Sequence, residues 1–153
     1  MKHILCSSPF LALPIADAPY FVDTDASEVT IAGILQQEQP WGDGLKTRPI
    51  AYGSKAMSPE QQKYGAPKQE MLAVVTFLEK WYAYLADKAF TLRVDNIALR
   101  WLKTYSMDEG LIGRWITALG RFKMKIVHRT RNKHFNADGL SKKTERYQLR
   151  EER

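Results

Sequence analysis

Three runs of strand-forming residues follow one another before the chain shows its first helical pattern, and that order limits the folds open to it. The first, about residues 20–25, reads YFVDTD. Its aromatic and β-branched residues favour a strand, and the Ala-Ser-Glu that follows ends it. The second run covers about 29–37 (VTIAGILQQ), with Gly33 where a neighbouring element could come close. Residues 38–47, rich in Gly, Pro and Asp, read as a loop, and a third strand follows at about 48–54. Short connections between consecutive strands favour an antiparallel meander. Met71, Val74, Val75, Leu78, Tyr82 and Leu85 then recur at spacings of three and four, which predicts a helix with Pro67 in its first turn. A fourth strand at 89–95 (AFTLRVD), a short helix at 97–102 and a helix at 109–120 come next. Leu111, Ile112, Trp115, Ile116 and Leu119 form the buried side of the last of these. A fifth strand at 121–128 puts Phe122, Met124, Ile126 and His128 on one face, and a final helix starts near Asn136, a suitable N-cap. The fold class is therefore mixed α/β: a five-stranded mixed sheet with a three-strand meander and flanking helices. Residues 1–19, punctuated by Pro9, Pro14 and Pro19, read as a connector from an upstream region. Residues 20–142 read as the domain and 143–153 as a basic tail.

Acidic residues sit at telling places in this order. Side chains alternate along a strand, so Phe21, Asp23 and Asp25 share one face and Tyr20, Val22 and Thr24 the other. Asp25 ends the first strand and Asp95 ends the fourth. A strand that follows a helical crossover tends to lie parallel to its neighbour, which would set these two ends side by side. Glu70, read as lying in the first turn of the crossover helix, and Asp138, early on the last helix, can close the cluster. Each acid alone has a plainer reading: Asp is common where strands turn, and a helix dipole favours an acid in its first turn. Together, four carboxylates in one pocket require cations to neutralise them. Hard oxygen donors favour magnesium, with manganese as a substitute, and two such ions about 4 Å apart suit phosphodiester hydrolysis. Asp23, one strand repeat deeper, is not expected to be a ligand.

Charge and cysteine content narrow the partners. The formal charge is +6, and residues 121–153 hold 11 of the 23 Lys and Arg but only 4 of the 17 Asp and Glu. A basic flank beside acidic sites points to a polyanionic partner. Arg129, Arg131, Lys133 and His134 lie in the loop before the Asp138 helix, well placed to hold a phosphate; Lys55, Arg93 and Arg100 are further candidates. For any one of them, ordinary surface charge is the plainer account. Trp81 and Trp101 fall on apolar helix faces, whereas Trp41 is expected to be exposed. The single cysteine, Cys6, excludes a disulfide framework, and with His3, His128 and His134 it makes a poor zinc site. No apolar run approaches the roughly 18 residues of a membrane helix. The start, MKHILCSSPFLALP, is too short and interrupted in its apolar part to read as a secretory signal.

The segments PFLALP, DTDASEVTIAGILQQ, RPIAYGSKAMSPEQQKY, KQEMLAVV, WYAYLADKAFTLRVDNIALRWL, GRWITAL and IVHRTRNKHFNADGLS together resemble the ribonuclease H domain of a gypsy-type LTR retrotransposon reverse transcriptase. The resemblance runs in order from about residue 5 to 142. It implies a ribonuclease H-like fold and cleavage of the RNA strand of RNA/DNA hybrids with two magnesium ions. The family's catalytic, metal-binding acids fall on Asp25, Glu70, Asp95 and Asp138, and a family loop histidine falls on His134. Also implied are an upstream polymerase domain in a parent polyprotein, no polymerase activity in this chain alone, and an intracellular place, in a cytoplasmic retroelement particle or the nucleus. The chain departs from the family at Thr130-Arg131 (usually Pro-Gly), Asn96 (usually His) and Lys142 (usually Arg). These departures leave a second reading, a domesticated, non-catalytic nucleic-acid-binding module. A transposase or integrase of similar fold is disfavoured by the position of Glu70 and by the NADGLS ending.

Overall fold

The computed structural model of the protein describes residues 11–95, 100 and 110–129. Its five strands are β1 (Tyr20–Ala26), β2 (Thr30–Trp41), β3 (Gly44–Ala56), β4 (Ala89–Val94) and β5 (Lys123–His128). They form one sheet in the order β3-β2-β1-β4-β5. β1, β2 and β3 are antiparallel neighbours, while β4 lies parallel to β1 and β5 parallel to β4. The expected meander and parallel crossover are both present. The sequence-assigned helix at 97–102 and the last helix from Asn136 lie outside the described residues, apart from Arg100.

Four helices are described: α1 (Pro59–Gln62), α2 (Ala66–Lys80), α3 (Tyr82–Leu85) and α4 (Leu111–Leu119). A capping box starts α1. The Ser58 hydroxyl accepts from the Gln61 backbone N–H at 3.2 Å, and the Gln61 side chain accepts from the Ser58 N–H at 3.0 Å. In α2 the stripe Met71, Val74, Val75 and Leu78 is buried, as are Phe77 and Trp81. These residues pack with Tyr20, Val22, Ile31, Leu35, Leu92 and Val94, one face of the sheet, into a core that also takes in Trp115 and Leu119 of α4.

Two glycines set how closely α2 approaches. Gly33 and Gly53 are cross-strand partners on β2 and β3. A Cβ on Gly33 would stand 2.8 Å from the Phe77 ring, and one on Gly53 only 2.4 Å from it. The pair thus forms a notch that seats Phe77, which stacks on Trp81 at 5.4 Å.

The structure corrects several expectations. Residues 38–47 are not a loop: β2 and β3 continue to a two-residue turn at Gly42-Asp43, with Trp41 opposite Gly44. Gly42 has φ +58 and Asp43 does not have positive φ, the sign pattern of a type II′ hairpin turn that favours glycine first. The α2 stripe does not run on to Tyr82. The helix ends at Lys80, Trp81 leaves helical geometry at φ −102, and the change of phase turns Tyr82 outward while Leu85 stays buried. On the expected face of β5, burial falls from Phe122 through Met124 and Ile126 to His128, which is exposed. Residues 11–19, within the expected connector, add no strand to the sheet but bond to it: the Ala12 N–H donates to the Pro49 carbonyl at 2.7 Å, and Gln37 and Gln39 bond the backbone of Leu13, Ile15 and Ala18.

Candidate active site

The parallel register of β1 and β4 pairs Asp23 with Arg93. Asp25 lies two residues beyond Asp23 and Asp95 two beyond Arg93. Both acids therefore leave the carboxyl ends of neighbouring strands, which run about 4.8 Å apart. Both are partly buried. α2 brings Glu70 to the same end: its Oε1 accepts the backbone N–H of Ala26, the last residue of β1, at 3.3 Å. α2 begins at Ala66, so Glu70 falls in its second turn, not its first, and helix-dipole stabilisation does not explain it. It is nearly buried, 9% exposed, and held by tertiary contact.

Of the four acids singled out from the sequence, Asp25 and Asp95 thus lie at the carboxyl ends of neighbouring strands, and Glu70 reaches the backbone at the end of β1. Asp138 lies outside the described residues, as do Arg131, Lys133 and His134. The carboxylate oxygens of Asp25, Glu70 and Asp95 are hard donors, the kind that suit magnesium or manganese. Among the described residues, no three His, Cys, Asp or Glu are grouped so as to hold a metal ion by themselves.

Directly below the acids lies an ion-pair network. Asp23 is 3% exposed. The Arg93 Nε donates to its Oδ1 at 2.5 Å and the Arg93 Nη2 to its Oδ2 at 3.0 Å, a bidentate pair. Arg129 Nη1 donates to Oδ2 as well, and Gln36 Nε2 joins at 2.9 Å. Four donors engage the Asp23 carboxylate, one at Oδ1 and three at Oδ2, so two guanidiniums and an amide already neutralise and orient it. Arg129, a phosphate-contact candidate from the sequence, is instead committed to a buried partner. The network was missed by sequence reading, yet its signal was there: opposite charges two residues before each strand-end acid, on strands already expected to be neighbours.

A five-stranded mixed sheet in this order with flanking helices is the architecture of the ribonuclease H fold. Solved structures agree. A foamy viral protease-reverse transcriptase in complex with double-stranded DNA superposes with a TM-score of 0.62 at 18% identity, over 79% of this chain and 25% of that one. The compost-derived LC11-RNase H1 matches at 0.56 and 16% identity, over 80% of this chain and 92% of its own, and its RNA/DNA hybrid complex at 0.55 and 15%, over 81% and 93%. The family model described as the RNase H-like domain found in reverse transcriptase matches residues 16–122. The chain belongs to that family. Its relatives include the retrovirus-related Pol polyprotein from transposon opus of Drosophila melanogaster, 31% identical over 144 residues. Another is the transposon Tf2-3 polyprotein of Schizosaccharomyces pombe, 30% identical over 146. Each alignment covers 93% of this chain, which spans only 14% and 11% of those polyproteins.

Proposed function

We propose that this domain is a metal-dependent endoribonuclease that cuts the RNA strand of RNA/DNA hybrids. The observation that supports the reading is that Asp25 and Asp95 lie at the carboxyl ends of the neighbouring strands β1 and β4, while Glu70 accepts the backbone N–H of Ala26 at the end of β1. With Asp138 as a fourth donor, these acids would hold two magnesium ions, or manganese in their place. When bound, such ions supply an activated water and neutralise charge on the leaving oxygen. The chain's own part is to hold three acids in fixed relation. Asp25 is fixed by the pairing of β1 with β2, Asp95 directly follows β4, and Glu70 is held by the seat of α2 and its bond from Ala26. The basic C-terminal segment, with Arg131, Lys133 and His134, would add affinity for the phosphate backbone. Groove shape and contacts to 2′-hydroxyls would select the hybrid.

We further propose that the chain is part of a gypsy-type reverse transcriptase, acting beside a polymerase domain of the same polyprotein, in a cytoplasmic retroelement particle or the nucleus; its likeness to Pol polyproteins supports the polyprotein setting. The test is incubation with labelled RNA/DNA hybrid, duplex DNA and duplex RNA, in magnesium and in EDTA. Only the RNA strand of the hybrid is cut, and only in magnesium. Asp25→Asn and Glu70→Gln each lower the rate by at least about 100-fold, the upper range for losing even an outer-shell partner of a metal site. Cutting that persists in EDTA, or an Asp25→Asn protein as fast as its parent, would sink this reading. Tight hybrid binding without cleavage would favour the binding module left open by the Thr130-Arg131 departure.

A further inference from the structure

We propose that Asp23 is a positioning residue which, through Arg93 and Arg129, fixes the spacing of the strand ends that carry Asp25 and Asp95. The proposal rests on the nuclease reading of those two acids but concerns residues that touch neither metal nor substrate.

Three observations carry it. First, the network joins every strand that matters to the site at one level. Gln36 reaches Asp23 from β2, Arg93 from β4, and Arg129 from the residue after β5. Second, that level is next to the site: Asp23 and Arg93 each lie one side-chain repeat, about 7 Å, before Asp25 and Asp95. Third, Arg129 is held twice. Its backbone N–H donates at 3.0 Å to the carbonyl of Val94, the residue immediately before Asp95, while its guanidinium grips Asp23. It thus straps the end of β4 to the middle of β1.

Backbone pairing alone does not do this. The β1–β4 ladder stops at Asp23 and Arg93, and β4 ends at Val94. Beyond that level the β1–β4 backbone pairing does not extend to Asp25 and Asp95. The network contains two guanidiniums and one carboxylate, so it also places one net positive charge beneath a group of acids that repel one another.

The experiment compares the parent with Asp23→Asn, Arg129→Met, Arg129→Lys and Arg93→Lys in three measurements. These are urea unfolding, calorimetric titration with Mn²⁺ alone, and hybrid cleavage resolved into kcat and KM. Arg129→Met is expected to bind Mn²⁺ and to turn over about 10- to 100-fold less well, the range for groups that orient metal ligands, with KM for the hybrid nearly unchanged. Arg129→Lys recovers most of the loss, because Arg129 makes a single-point contact that an ammonium can replace. Arg93→Lys does not recover, because it loses a bidentate fork. Asp23→Asn follows Arg129→Met if it folds, and Arg129→Met alone suffices if it does not. Variants that lose only stability, with Mn²⁺ affinity and kcat intact at temperatures where they are folded, would overturn the proposal. So would a raised KM at constant kcat, which would make Arg129 a substrate contact. A parent that fails to cut the hybrid defeats the nuclease reading instead, and the Mn²⁺ titration still decides on the network.

Discussion

Asp23 and Asp25 stand two residues apart on one face of one strand and meet different surroundings. Asp23 is enclosed and takes four donors, whereas Asp25 is only partly buried near the end of β1. Truncating Asp23 leaves two guanidiniums facing each other with only about a fifth of their side-chain surface in water. Breaking a buried pair in this way costs about 3–5 kcal/mol, and the residual exposure argues for the lower end. Asp23→Ala should therefore lower the urea-unfolding free energy by about 3 kcal/mol. A loss below about 1 kcal/mol would mean that the network is a surface pairing in effect. At this scale the sequence shows residue types and spacing but not commitment. Nothing in RTR told Arg129 apart from Arg131, because what distinguishes Arg129 is the bond of its N–H to Val94, a tertiary fact.

Among the elements, β1, β4, α2 and β5 were legible because their apolar patterns keep a clean period and end in recognisable breakers. The outer half of the β2–β3 hairpin was not. Its Pro40 argues against a strand, but only where a partner needs the missing N–H. β1 starts opposite Gln37, so beyond that point β2 has β3 alone as a neighbour and Pro40 faces no second strand. Pro49 is tolerated on edge strand β3, next to the register shift at Leu35/Gln36. Gly33 was read as a place of close approach, and the approach is that of Phe77. Its partner Gly53 makes the stronger prediction. Gly53→Ala puts a methyl 2.4 Å from Phe77 Cε1, so either the ring or the helix must shift. Overpacking of this kind costs about 1–3 kcal/mol. Because α2 also carries Glu70, about 10 Å along the helix from Phe77, the same change should reduce hybrid cleavage more than the lost stability explains. Parallel melting curves and rates would show this, and unchanged values in both would mean that the notch has room to spare.

For the molecule as a whole, two tyrosines give stability a pH dependence at the alkaline end. Burial, and then the neighbouring Tyr84, hold the Tyr20 hydroxyl above the usual tyrosine range, and burial does the same for Tyr52. A raised value means that the folded state keeps these protons after the unfolded chain has begun to release them. Their contribution is fully present below pH of about 10 and is lost as pH rises through the folded values. Unfolding measured at pH 8, 9.5 and 11 should show a decline confined to the last step, smaller in Tyr20→Phe/Tyr52→Phe; an equal decline in that double variant would place the cause elsewhere. The overhanging hairpin shapes the motions of the same molecule. Past Gln39, whose side chain still bonds the Leu13 carbonyl, β2 and β3 run on as a ribbon of two strands, which is marginally stable in water. Local opening there is cheap, whereas at the other end five strands and a buried ion-pair network must give way together. The chain therefore has a soft end and a stiff end, and the ribbon around Trp41 can fray and reclose many times without loosening the grip on Asp25 and Asp95.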